Sequence, residues 1–142
     1  MISRQEAKYV IQQIRNIKFY AEKVNEFDRK IAEIDIKILS VTEPKSPLIS
    51  DEPKGTNKIP ADTRWNALID QKTEIEVIRE PWAYKLNKAR GYYEMLLKSD
   101  EMGYVEDFFS GRLNMRGLER KYHYSNAYTT IIRIIRNNIE VL

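Results

Sequence analysis

Between Arg112 and Asn137 the sequence carries side chains suited to anions and to hydrogen-bonding edges. Arg112, Arg116, Arg120, Lys121, Arg133 and Arg136 are cations, and Asn126, Thr129, Thr130 and Asn137 are neutral donors and acceptors. Arginine offers a planar fork of donors, asparagine a donor beside an acceptor, and threonine a hydroxyl beside a methyl. In a DNA major groove those groups meet guanine, adenine and the thymine methyl, while further cations meet phosphates. From Tyr104 to Leu142 six basic residues stand against four acidic ones, a net of +2 in a chain whose total is +3. A bias this mild does not by itself make a nucleic-acid binder, so the placement of the charges has to carry the argument.

Other chemistries find little footing. The chain has no cysteine, which excludes a disulfide, a thiolate metal site and a thiol nucleophile, and its single histidine, His123, cannot build a cluster. There is no Walker loop, dinucleotide fingerprint, nucleophile elbow or zinc spacing. Acidic pairs such as Glu74 with Glu76 or Asp100 with Glu101 read as solvated helix faces and ends. The expectation is therefore a protein that is no enzyme and takes neither cofactor nor metal. The first residues mix charges with apolar side chains and reach no run of about 18 to 20 apolar residues, which predicts neither a signal peptide nor a membrane anchor. A reducing compartment follows from the cysteine count.

The elements that must position these side chains are helical by every local signal. With 142 residues there is room for one domain or a small domain with an extension. Apolar content of 42% against 32% charged residues favours elongated elements over one thick core. Ser3 with Glu6 makes a capping box, and Val10, Ile14, Ile17, Ala21, Val24, Phe27, Ile31, Ile34 and Ile38 then form a heptad seam. The spacing predicts one long helix over 1–41, roughly 55 Å at about 1.5 Å per residue. Residues 42–62 carry Pro44, Pro47, Pro53, Pro60 and Gly55 and read as a flexible Pro-rich linker. A second long helix is expected over 63–99, with Leu68, Ile75, Trp82, Leu86, Ala89, Tyr93 and Leu96 on its seam. Lys72 and Arg79 intrude on that seam as charges, and a kink or break is expected at Pro81.

Residues 100–142 make a different unit of three short helices. The first spans about Glu101 to Phe109, and Asn114 caps a second over Met115 to Lys121. Ser125 caps a third, with Tyr128, Ile131, Ile132, Ile135 and Ile139 on one face and Asn126, Thr129, Thr130, Arg133 and Asn137 on the other. A short helix, a tight turn and a longer helix with a polar face is the layout of a helix-turn-helix, whose second helix enters the major groove. The fold class expected is all-α: a long, coiled-coil-like helical hairpin joined to a C-terminal three-helix helix-turn-helix unit.

The run Phe109-Ser110-Gly111-Arg112-Leu113-Asn114-Met115-Arg116-Gly117-Leu118-Glu119-Arg120-Lys121-Tyr122-His123-Tyr124-Ser125 resembles the promoter-reading helix-turn-helix of sigma factors. The whole plan is similar to the RinA/ArpU-like transcriptional regulators of bacteriophages and prophages. The resemblance implies a sequence-specific regulator of phage late genes in the bacterial cytoplasm, with a recognition helix over 125–140. Base edges would fall to Asn126, Thr129, Thr130 and Arg133, and phosphates to Arg112, Arg116, Arg120, Lys121, Arg136 and Asn137. The hairpin would serve homodimerisation or contact with RNA polymerase. By position, Leu118 takes the buried aliphatic of the first motif helix, and Tyr122 and Tyr124 flank the turn. Three residues depart from the pattern: Glu119 stands where such motifs put alanine, His123 replaces the turn glycine, and Gly111 lies one residue further from the cap than the pattern has it. Two other readings stay open on the residues, a phage DNA-packaging subunit of the small-terminase kind and a structural coiled-coil protein that binds protein only.

Overall fold

The computed structural model describes residues 1–42 and 61–142, and every regular element among them is a helix. The elements are α1 (Arg4–Arg15), α2 (Ile17–Thr42), α3 (Ala61–Leu97), α4 (Met102–Ser110), α5 (Met115–Tyr122) and α6 (Ala127–Asn138). The expected linker falls largely on 43–60 and so lies outside the described residues. No helix among the described residues is long and apolar enough to cross a membrane.

Local chemistry accounts for where most helices begin and end. The Ser3 hydroxyl accepts the Glu6 N–H at 3.1 Å, and the Glu6 carboxylate accepts the Ser3 N–H at 3.1 Å, closing the capping box. Asn114 accepts the Gly117 N–H at 2.7 Å at the start of α5. Gly111 ends α4 at φ 71°, and His123 ends α5 at φ 62°. Both lie in the left-handed region, where the free carbonyls of a helix end can be met by the following N–H groups. His123 is a C-cap standing where glycine is usual, and its N–H donates to the Glu119 carbonyl at 2.8 Å.

Two expectations about the long helices are corrected. The N-terminal helix is not continuous, because Asn16 interrupts it at φ −90°, ψ 1°. Its N–H is shared between the carbonyls of Gln12 and Gln13 at 3.1 and 3.2 Å, a tightened turn that asparagine, a weak helix former, accommodates. Conversely, of the kink or break expected at Pro81 the break is absent, since α3 runs through that residue as one helix. The carbonyl that loses its donor there belongs to Val77, and Val77 is 64% exposed, so water can serve it.

The chain forms two compact units that cut across the sequence segments. One comprises Met1–Ala21 with Ala83–Leu142, the other Glu22–Trp82. The expected C-terminal unit of 100–142 is thus not self-contained, since it shares a core with α1 and the last part of α3. That core holds Ile2, Val10 and Ile11 beside Leu96, and Tyr104, Leu118 and Ile131 from the short helices. Ile2, before the cap, and Ala7, at the fourth helical position, are both buried, as in a hydrophobic staple.

In the second unit the charged intruders on the α3 seam find their counterparts. Lys72 pairs with Asp35 at 2.8 Å and Arg79 with Asp28 at 2.6 Å. From one pair to the other the position moves one heptad forward on α3 and one heptad back on α2, so the two chain directions oppose there. Lys23 of α2 lies over the Trp82 ring at 5.8 Å. The bond to Asp35 raises the Lys72 pKa from its ordinary value, which keeps the pair ionised. All of these groups are partly solvated, so the pairs bear on the register of the two helices more than on stability.

Candidate nucleic-acid interface

Helix α6 is seated in the first unit by a buried arc. Ala127, Thr130, Ile131, Ile132, Ile134 and Ile135 are buried along it, and Ile139 follows. At about 100° per residue these positions cover about 200° of the helix circumference. α1, α4 and α5 all pack against α6. What remains outside is a narrow stripe of Asn126, Thr129, Arg133 and Asn137, all exposed, bordered by half-buried Arg136.

Tyr104 of α4 is the hub that holds α6 against the turn. It is 2% exposed, and its hydroxyl donates to the Ala127 carbonyl at 3.1 Å. Its ring meets Tyr122 edge-on at 5.0 Å and Tyr124 at 5.5 Å, so residues on both sides of His123 rest on it. Burial raises the Tyr104 pKa, keeping the phenol a donor. Tyr104 is buried beside Val105 and Phe108, and its hydroxyl hides that core role in the sequence.

The polar side chains expected at the interface separate into distinct groups. Thr130 is corrected: it is 8% exposed, and its hydroxyl donates back to the Asn126 carbonyl at 2.7 Å. It stands one turn before Ile134 on the inner side, and a threonine can bury there because the helix backbone satisfies its hydroxyl. The cap of α6 is also corrected, from Ser125 to Asn126. Asn126 is extended at φ −150°, ψ 108°, and its carboxamide oxygen accepts the Thr129 N–H at 2.9 Å. Tyr124 is committed to Tyr104 and donates to Glu101 at 3.3 Å, which leaves Ser125 within the turn. Asn126 therefore keeps its amide N–H groups outward while its oxygen serves the backbone.

Thr129, Arg133 and Asn137 remain on the solvent stripe, one helical turn apart. Arg133 is held by Glu101 at the start of α4, with Nη2 donating to both carboxylate oxygens at 3.1 and 3.2 Å, and it lies over the Tyr124 ring at 5.7 Å. Arg112, Arg116 and Arg120 are exposed and have no ion-pair partner among the described residues, whereas Lys121 pairs with Asp107 at 2.7 Å. Arg136 turns its Nε–H to the Ile2 carbonyl at 3.0 Å. Glu119 is half-buried and Leu118 1% exposed, so the glutamate that departs from the motif keeps part of its surface in water.

Asp107 couples α4 to α5 through one oxygen, which accepts from both Lys121 and the Tyr122 hydroxyl. The Lys121 bond first, and the Tyr122 bond second, hold its carboxyl below the usual 3.8. The same contacts raise Lys121 and Tyr122. A carboxylate with a lowered folded-state pKa contributes stability above its unfolded value and loses it as pH falls through the folded one. Lys121 and Tyr122, being raised, keep their contribution until pH climbs through their folded values. Unfolding midpoints of an Asp107→Asn variant are therefore expected to fall less steeply than those of the parent below about pH 4. Parallel acid-side slopes in chemical denaturation would rule this coupling out.

Among the described residues no group of three or more histidine, cysteine or carboxylate side chains is placed to hold a metal ion. Comparisons with protein-family models, with curated proteins and with solved structures found no match.

Proposed function

We propose that the chain is a sequence-specific DNA-binding transcriptional regulator of the RinA/ArpU-like phage or prophage type, acting in the bacterial cytoplasm. The observation that carries this reading is the Thr129, Arg133 and Asn137 stripe on α6, held outward by a buried arc on the opposite side and preceded by the His123 turn. α5 and α6 act as the helix-turn-helix and α6 enters the major groove, with Thr129 and Arg133 at base edges. Arg112, Arg116 and Arg120 flank it and contact phosphates. α2 and the first part of α3 form the helical hairpin, on which the opposed ion pairs bear, and it serves dimerisation or RNA polymerase contact.

The test is binding of the purified chain to duplexes tiled across the neighbourhood of its own gene, set against scrambled DNA at two salt concentrations. A specific reader prefers one fragment by a factor on the order of a thousand. Equal and steeply salt-sensitive binding to every fragment points to DNA packaging instead, and no binding moves the search to protein partners. On the preferred fragment, Arg133→Ala is expected to lose about 1 to 3 kcal/mol, roughly 5- to 150-fold in Kd, with relaxed preference at one base pair. A Kd unchanged within twofold removes Arg133 from the reading surface.

A further inference from the structure

The N-terminus is anchored in the core and tied to α6 at Arg136. Ile2 is buried in the core at 3% exposure, and its carbonyl accepts the Arg136 Nε–H at 3.0 Å. The capping box at Ser3 then starts α1 immediately, which makes Arg4 its first residue. Arg4 consequently lines a shallow depression of about 180 Å³ together with Thr129, Arg133, Arg136 and Asn137 of α6.

Three guanidinium groups border this depression, and none of its lining residues is acidic. Glu101 compensates Arg133, Arg136 spends one donor on a backbone carbonyl, and Arg4 has no ion-pair partner among the described residues. Like charges gathered around one small hollow repel each other, and an anion placed among them relieves the repulsion while taking several charge-assisted hydrogen bonds. The Thr129 hydroxyl and the Asn137 amide on the same rim add neutral donors.

We propose that Arg4 and Arg136 form a clamp for a DNA backbone phosphate beside the groove that α6 enters, so that α1 is part of the DNA-binding surface. The inference rests on the DNA-reading proposal above and adds a residue to it from the opposite end of the sequence. It assigns the two arginines a positioning contact and leaves base discrimination to the stripe.

The test uses the full chain and its preferred duplex beside a scrambled one, with Kd measured over a series of KCl concentrations. The variants are Arg4→Ala, Arg4→Lys and Arg133→Ala, with thermal unfolding of each to show that α1 still packs. The clamp predicts that Arg4→Ala weakens both duplexes by the same factor and lowers the slope of log Kd against log salt by about 0.9, the value for one phosphate. Arg4→Lys keeps the slope, since lysine also pairs with phosphate. Arg133→Ala, by contrast, alters the ratio between the two duplexes. Unchanged affinity and slope in Arg4→Ala, with preference still lost in Arg133→Ala, overturns the clamp and leaves the reading surface standing. Loss confined to the preferred duplex in Arg4→Ala also overturns it, because that is a base contact. If the parent chain binds neither duplex, the DNA reading and the clamp fall together.

Discussion

Replacing Tyr104 with alanine is expected to destabilise the first unit by about 3 to 5 kcal/mol, the range for removing a buried aromatic side chain. The residue is 2% exposed and touches both flanks of the His123 turn through Tyr122 and Tyr124. Its loss leaves a cavity at the point where α4, the turn and the first residue of α6 meet, and α6 cannot close that space without abandoning its own buried arc. Tyr104→Phe separates the two contributions, because the ring stays and only the bond to the Ala127 carbonyl goes. That variant should cost about 0.5 to 1.5 kcal/mol, the net worth of an ordinary hydrogen bond. Urea denaturation followed by circular dichroism measures both. A cost below about 1 kcal/mol for the alanine variant contradicts the hub, since a peripheral tyrosine is tolerated at that level.

Ile11→Ala is expected to cost about 2 to 5 kcal/mol, although the heptad seam read from the sequence leaves Ile11 off it. In the structure Ile11 is 2% exposed, because α1 lays its Ala7, Val10, Ile11 and Ile14 face into the core that also holds α6. Ile36 makes the internal control. It is likewise off the seam, lies on α2 at 67% exposure, and should lose no more than about 0.5 kcal/mol on the same substitution. Equal and small effects at both positions would mean that α1 packs only along its seam. A large effect at Ile11 alone would show that α1 is part of the core that seats α6.

The seams show how far local patterning reaches. Each residue placed on them is buried or half-buried where the structure describes it, from Val10 to Ile38 and from Leu68 to Leu96. Even Lys72 and Arg79, which broke the apolar pattern, sit on the seam, and their reason appears only with Asp35 and Asp28 opposite. Periodicity says which face of a helix is covered, and it is silent on what covers it. That is why Val10 and Ile14 could be assigned to a long helix pairing with α3, when α1 ends at Arg15 and α6 is one of its neighbours.

Thr130 and Asn126 mark the same boundary at the interface. Residue type and spacing put both on the polar face, and only the arrangement of neighbours decided that one is buried and the other serves its own helix end. The sequence alone determined the helical class, the capping box at Ser3 and the Asn114 cap. Those depend on hydrogen bonds and contacts within about one helical turn, where residue identity acts directly. The tertiary structure decided that α1 joins the C-terminal helices, that Tyr104 seats α6, that Glu101 holds Arg133 and that Arg4 stands beside Arg136. Such pairings follow from which apolar faces pack together, and the hydrophobic effect that drives the packing is non-directional, carrying no label in any short stretch of sequence.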